Sequence, residues 1–347
     1  MRRLLDDSLG MQRCFDLARL GIGKVSPNPM VGSILVNEDI VIGEGYHKQY
    51  GNSHAEVNCF NSISPQNTPK IHESILFVSL EPCCFKGKTP ACSDLIIEKK
   101  VKNLRISSID KTPKVNGKGL DLLRAEKVDI KTDILKKQGN WFVRFRTIFV
   151  TQKRPYIILK YAISSDGYLG VQNKNVWLTN PISKRLVHKW RGQVDSIMVG
   201  TNTALTDNPK LDTRCFYGSN PLRIVTDKAH KIPTNANIKD KSTPTWILGD
   251  SKEQPDSSPN LQYHSMPEGD DFLPALFEKL VSKNIGTLMV EGGATLLQSF
   301  IDANYWDEAR IFETDVVLDK GIPAPKLIGK NETVEMIGSD RLRFICR

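Results

Sequence analysis

His54-Ala55-Glu56 is followed, after a gap, by Glu81-Pro82-Cys83-Cys84-Phe85-Lys86-Gly87-Lys88-Thr89-Pro90-Ala91-Cys92. One imidazole and two thiols form a ligand set that suits zinc, and three protein ligands leave a fourth position for water. His54, Cys83 and Cys92 are therefore the candidate metal ligands. Glu56, two residues beyond the histidine, is poorly placed to bind the same ion. It is well placed to carry a proton beside it, and is the candidate catalytic residue. Cys84 offers a second thiol next to Cys83, although the register after Pro82 favours Cys83.

The flanking residues give this stretch a local structure. Ser53 is expected to cap a helix that begins near His54, with Val57 and Phe60 facing inward. Residues 75–80 read as a buried strand, and a second helix is expected from about Pro90 to Lys99. His54 then opens one helix, and Cys83 and Cys92 flank the start of another. Helix N-termini favour thiolates by about 0.3–1 kcal/mol each. That is small beside a metal that lowers the pKa of bound water from about 15.7 to about 7. His-x-Glu followed by Pro-Cys and a later Cys is the signature of zinc deaminases of bases and nucleosides. Their common form closes with Cys-x-x-Cys, whereas here eight residues separate Cys83 from Cys92. A purely structural zinc site needs a fourth ligand, for which His47 and His72 are the candidates. A nucleoside or tRNA deaminase with an unrelated second domain predicts the shorter spacing and a basic surface dotted with aromatics. A zinc-stabilised nucleic-acid-binding protein makes Glu56 dispensable.

Composition narrows the class. The chain has 347 residues, enough for two domains, and 39% hydrophobic with 25% charged residues is ordinary for a globular protein. No run approaches the roughly 18 apolar residues of a membrane span. Met1-Arg2-Arg3-Leu4-Leu5 leads into no apolar segment, so no secretory signal and a cytoplasmic location are expected. Seven cysteines, an odd number, argue for reduced thiols rather than a disulfide framework. The net charge of +9 is spread over scattered lysines. Scattered rather than striped lysines argue against a nucleic-acid partner and leave anionic small molecules, or no charged partner at all, as readings of the charge.

Alternating strand and helix patterns make residues 1–150 an α/β layered domain. A helix is expected over 6–20, and a hairpin joins 29–36 to 40–43 through Asn37-Glu38-Asp39. A further strand is expected over 104–109. The second domain, 151–347, begins after a basic connector. Strands are expected over 155–160, 196–200, 222–226, 245–248 and 287–290, and a helix over 272–281. The last of these strands runs through Glu291-Gly292-Gly293 into a helix, a junction that suits a phosphate. It lacks Gly-x-Gly-x-x-Gly, so an ordinary Rossmann domain is not indicated. The polar tail, 330–347, shows no clear element.

With these residues in view, the chain resembles the bifunctional riboflavin-biosynthesis deaminase-reductase family over nearly its whole length. The first half carries Pro27-Asn28-Pro29-Met30-Val31-Gly32, Gly45-Tyr46-His47, His54-Ala55-Glu56, and Glu81-Pro82-Cys83 through Gly87-Lys88-Thr89-Pro90 to Cys92. The gap between Cys83 and Cys92 is this family's own spacing. The second half carries Leu159-Lys160, Asp166-Gly167, Trp177-Leu178-Thr179, Asp207-Asn208-Pro209 and Val290-Glu291-Gly292-Gly293-Ala294. The resemblance implies a cytidine-deaminase-like domain joined to a dihydrofolate-reductase-like domain. It implies one Zn2+ per chain, NADPH, a phosphorylated pyrimidine substrate and a homo-oligomer. Asn28, His47 and Lys88 match deaminase substrate positions, with Lys88 suited to the phosphate. Arg191, Leu211, Arg214 and Glu291 match reductase substrate positions. Tyr161, Trp177, Thr203, Asp207 and the run Gly293, Ala294, Thr295, Leu296, Leu297, Gln298 and Ser299 match cofactor positions. Cys84-Phe85 replaces the family's usual Ser-His, and Lys111-Thr112 its Pro-Asn. Asn175 and Lys228 replace serines. Lys228 either pairs with the extra phosphate of NADPH or is a surface lysine.

Overall fold

Asp6 accepts the amide of Leu9 at 2.7 Å and so caps the first helix, α1 (Asp7–Arg19). The computed structural model describes residues 6–87, 90–249 and 257–347, so Lys88 lies outside the described residues. The chain divides into two units, Met1–Arg154 and Pro155–Arg347.

In the first unit, β1 (Gly32–Asn37) and β2 (Ile40–Tyr46) form a hairpin whose turn residues Glu38 and Asp39 both have positive φ. Then follow α2 (Ala55–Asn61), β3 (Ile75–Leu80), α3 (Cys92–Glu98), β4 (Asn103–Ser108), α4 (Lys118–Ala125), β5 (Asp129–Lys131) and α5 (Lys136–Thr151). The sheet order is β2-β1-β3-β4-β5. β1 is antiparallel to both neighbours, while β3, β4 and β5 are parallel. β3 is buried along its whole length and tolerates only apolar or hydrogen-bonded side chains. One face packs Cys59 and Phe60 of α2, Ile96 of α3 and Leu120 of α4. The other packs Met11, Phe15 and Ala18 of α1 with Phe142 of α5. These are three layers around a half-parallel sheet. The loops after β3 and β4 emerge at the same sheet edge, where parallel α/β sheets place their ligands.

The second unit contains β6 (Tyr156–Ile163), β7 (Tyr168–Gly170), α6 (Pro181–Arg191), β8 (Ser196–Val199), α7 (Thr201–Asp207), β9 (Leu222–Thr226), β10 (Thr245–Gly249) and β11 (Leu261–Ser265). It continues with α8 (Phe272–Ser282), β12 (Thr287–Glu291), α9 (Ala294–Asp302), β13 (Glu308–Glu313), β14 (Ile322–Pro323), β15 (Asn331–Ile337) and β16 (Asp340–Cys346). Its large sheet runs β11-β10-β9-β8-β12-β6-β13-β16-β15. The strands from β11 to β13 are parallel, and β16 and β15 close the edge as an antiparallel hairpin.

Several local expectations are corrected. Ser53 does not cap α2. His54 holds that position without a side-chain cap bond, because its ring turns toward two sulfurs instead. Val57 is only half-buried, and the inward face of α2 is Ala55, Glu56, Cys59 and Phe60. α3 starts at Cys92 rather than near Pro90. The connector before the second unit contains the long helix α5, whose opening residue Leu135 has φ of 51° and no cap bond. Packing rather than propensity makes this helix. The tail is the β15–β16 hairpin. All seven cysteines are free, and no helix among the described residues is long and apolar enough to cross a membrane.

Arg223 on β9 is almost fully buried, and all of its donors are used. Nε donates to Thr245, Nη1 to the carbonyls of Lys210 and Asn237, and Nη2 to Asp240 and the carbonyl of Thr243. The residue thereby ties the loop after α7 to the sheet. Arg223→Met should leave these acceptors unpaired and destabilise the second unit by about 3 kcal/mol. In urea unfolding followed by fluorescence of its buried tryptophans, the midpoint should fall. An unchanged midpoint contradicts this role.

Candidate active sites

His54, Cys83 and Cys92 come from three separate elements: the start of α2, the loop after β3 and the first residue of α3. Their ligand atoms all lie within 4.8 Å of one another. Nδ1 of His54 stands 3.3 Å from Sγ of Cys92 and 3.5 Å from Sγ of Cys83. Tetrahedral zinc with Zn–N near 2.0–2.1 Å and Zn–S near 2.3 Å has N···S edges of about 3.5 Å, so the donor set fits that ion in both chemistry and spacing. The Cys92 amide donates to Cys83 Sγ at 3.4 Å. A hydrogen bond from the Cys92 sulfur, reinforced by His54, pulls the Cys83 thiol down to about 5. A thiolate held this readily is a ready metal ligand. Cys84 Sγ turns away, toward the carbonyl of Lys114.

Neither proposed fourth ligand reaches the cluster. Nδ1–H of His47 donates to the Ser53 carbonyl at 3.0 Å, which leaves Nε2 as the acceptor for Nδ2–H of Asn28 at 3.2 Å. Burial holds His47 below the usual histidine range, consistent with a neutral ring. His72 is exposed beside Glu73. Among the described residues the group stays at three ligands, the open pattern of a catalytic rather than a structural zinc site. Glu56 is outside it and almost fully buried, with its carboxyl against the Cys92 sulfur. Burial raises its pKa, the change a proton carrier needs, although His54 opposes it.

A cavity opens above this floor. Asn28, His47 and Phe85 line one part, and Asp110, Thr112 and Arg146 another. The wall formed by residues 110–117 is held by Glu81, whose buried carboxylate accepts the amides of Asp110, Gly117 and Gly119 at 2.9–3.3 Å. Gly119 is required there, since a Cβ would sit 2.3 Å from the Pro82 carbonyl. Glu81 was visible in the motif without an evident task. Arg146 and Thr112 gave no motif signal, because their helix and loop reach the cavity only through the fold.

The second unit gathers polar residues at the C-terminal ends of β6, β8 and β12. Arg191, at the end of α6, forms a two-pronged pair with Glu291 at 2.7 and 3.0 Å and donates to the Asp212 carbonyl. Burial opposes both charges, but each overrides it for the other: Arg191 is raised and Glu291 lowered, with Lys160 adding to the latter. Arg214 pairs with Asp212, and Leu211 is buried with φ of 53°. Beside this cluster, Gly292 and Gly293 take φ of 93° and 60° and lead into α9. A Cβ on Gly292 would meet Thr203 Cγ2 at 2.9 Å, so Thr203 and the glycine junction are neighbours. Ala294 and Thr295 form the first turn of α9, and Leu296 is half-buried behind them. Leu297 points into the core, Gln298 bonds Asp302, and the Ser299 hydroxyl bonds the Leu296 carbonyl. Tyr161 is also a core residue, raised to about 12 by burial. Asp207 is exposed at the end of α7. Trp177 is exposed, its indole N–H on the Thr179 carbonyl and its ring under Lys184.

Residues 155–343 match the family model described as the RibD C-terminal domain. The chain belongs to the RibD family. Residues 5–108 match the cytidine and deoxycytidylate deaminase zinc-binding region. The riboflavin biosynthesis protein RibD of Actinobacillus pleuropneumoniae is 30% identical over 351 residues, covering 96% of this chain and 88% of that protein. RibD of Bacillus amyloliquefaciens is 30% identical, covering 96% and 91%. A solved diaminohydroxyphosphoribosylaminopyrimidine deaminase/5-amino-6-(5-phosphoribosylamino)uracil reductase from Thermotoga maritima aligns over 98% of each chain with TM-score 0.87 and 27% identity. Acinetobacter baumannii RibD shares the fold, with TM-score 0.85. The expected fold class holds: a cytidine-deaminase-like unit and a dihydrofolate-reductase-like RibD unit. The RibD chain is an enzyme with deaminase and reductase domains, the first of them zinc-binding.

Glu81→Gln should set an N–H donor against the amides that the carboxylate now accepts, at a cost of about 1–3 kcal/mol. Hydrogen exchange at Asp110, Gly117 and Gly119 should then quicken about tenfold or more while the amides of β3 hold their rate. Unchanged exchange at those three positions overturns the role given to Glu81.

Proposed function

We infer that this chain deaminates diaminohydroxyphosphoribosylaminopyrimidine within residues 1–150 and then reduces the ribosyl group of the product to ribityl with NADPH within residues 151–347. The observation that carries the first step is the three-ligand cluster of His54, Cys83 and Cys92 with buried Glu56 against it. Zinc, when bound by these three residues, supplies the Lewis acidity that makes water a nucleophile near neutral pH. Glu56 takes the proton that water gives up, passes it to the ring nitrogen and then assists the departure of ammonia. Its raised pKa lets the same carboxyl accept and return that proton. Asn28 has one amide hydrogen on His47, so its carbonyl oxygen remains to accept from the substrate. Phe85 offers a flat face to the base, with Lys114 over its ring at 5.8 Å. Lys88 is assigned to the phosphate by type.

In the reductase step NADPH supplies the hydride, and the protein orients it and excludes water. The Gly292-Gly293 junction and the first turn of α9 offer backbone N–H groups to a cofactor phosphate, with Thr203 alongside. Arg214 suits the substrate phosphate, since a guanidinium fork binds phosphate in two places, while Arg191 gives its fork to Glu291 and is assigned to the substrate by position. Tyr161, Trp177, Asp207, Leu211 and the rest of 293–299 are assigned by position. Lys228 pairs with Glu268 at 3.2 Å on the surface.

Glu56→Gln keeps the shape of the side chain and removes the proton carrier. It should leave zinc content unchanged and slow ammonia release by about 10²–10⁴-fold. Deamination near the wild-type rate by a zinc-loaded variant overturns the role of Glu56.

A further inference from the structure

Among the described residues Arg146 is the one arginine lining the cavity above the His54, Cys83 and Cys92 cluster, and none of the motifs that mark this chain includes it. It reaches the cavity because α5 is docked on the end of β4. A Cβ on Gly139 would lie 2.1 Å from Ser107 Oγ, so only glycine allows this approach. The next residue, Asn140, accepts the Ser108 hydroxyl at 3.0 Å. Phe142 and Val143 fill the core on the same helix. Arg146 follows Gly139 by seven residues, two helical turns, and therefore shares its face. This places the guanidinium over the loop that leaves β4, beside Thr112 and in the same cavity that Glu56 lines.

The guanidinium is half-buried and under-used. Its hydrogen bond among the described residues is a long one, 3.4 Å from Nη2 to Thr112 Oγ1, although the group has five N–H donors. Asp110 attracts it, but no ion pair forms among the described residues, and Asp110 Oδ1 is taken by the Thr112 amide at 2.7 Å. Burial holds Arg146 below the ordinary arginine range, since the opposing attraction of Asp110 and Tyr50 does not cancel it. A partly desolvated cation with unfilled donors in a ligand cavity calls for an anion. Resting on the deaminase reading above, we propose that Arg146 contacts the substrate's phosphate in addition to Lys88, which is assigned there by type alone, and makes the first site select phosphorylated over dephosphorylated pyrimidine.

The test compares ammonia release by the full-length wild type, Arg146→Met and Arg146→Lys on the phosphorylated substrate and on its dephosphorylated ribosylamino form. Zinc content and the thermal midpoint serve as folding controls. A charge-assisted, two-pronged contact predicts about a thirtyfold loss of kcat/KM on the phosphorylated substrate for Arg146→Met, almost all of it in KM. The loss on the dephosphorylated form should stay under about threefold, and Arg146→Lys should retain part of the preference. If Arg146→Met fails to bind zinc, the Lys variant decides alone, with about a fivefold selective loss expected. Equal losses on both substrates, or none on either, overturn the assignment. A zinc-loaded wild type that deaminates neither substrate overturns the deaminase reading itself, and this assignment with it.

Discussion

The approach of one imidazole nitrogen to two sulfurs is the contact on which the first unit is organised. His54, Cys83 and Cys92 are far apart in the chain, and their ligand atoms meet only if α2, the end of β3 and the start of α3 hold their places together. Two thiols and an imidazole packed this closely, with a buried carboxyl against one sulfur, is an unfavourable arrangement without a cation. The surroundings supply what is needed to keep it. β3 is buried throughout, α2 lies directly on β2, and Glu81 fixes the loop that faces the cluster. The three-ligand limit follows from the same packing, because His47 is committed to Ser53 and Asn28.

The second unit solves a related problem with an ion pair. Its parallel strands end together, and Arg191 and Glu291 neutralise each other at that edge with little exposure of either. Two glycines with positive φ then open the start of α9 toward Thr203. In both units the polar chemistry stands at the carboxyl ends of parallel strands, where helix starts and loop amides converge. Arg223, near the amino end of β9, ties two connections to the sheet by donating to the carbonyls of Lys210 and Asn237.

Much of this was legible in the sequence, and the failures have identifiable causes. The strands 75–80 and 222–226 were legible with the bounds they have, the first because a strand buried along its whole length is a nearly continuous apolar run, the second because Leu222, Ile224 and Val225 outweigh Arg223. The His54, Cys83, Cys92 and Glu56 pattern was legible because metal ligands and a proton carrier are a chemically restricted set. Helix α5 is not legible because it has no cap, a glycine in its first turn and aromatic and β-branched residues whose own preference is for strand. With α5 went Arg146, whose place depends on that helix. Helix α6 has a readable start in Asn180-Pro181, where Asn180 accepts two amides, although its apolar positions are interrupted by Lys184, Arg185, Lys189 and Arg191. The β15–β16 hairpin escaped because edge strands alternate with charge and look like polar tail.

We infer that one chain carries two chemically distinct sites used in order. Purified protein incubated with the diaminopyrimidinone nucleotide, with ammonia and NADPH followed separately, tests it most directly. Ammonia should appear in full without NADPH. NADPH, when added, should be consumed only as deaminated product becomes available, one equivalent per ammonia released. NADPH consumption in the absence of ammonia release, or no ammonia from zinc-loaded protein, contradicts the account.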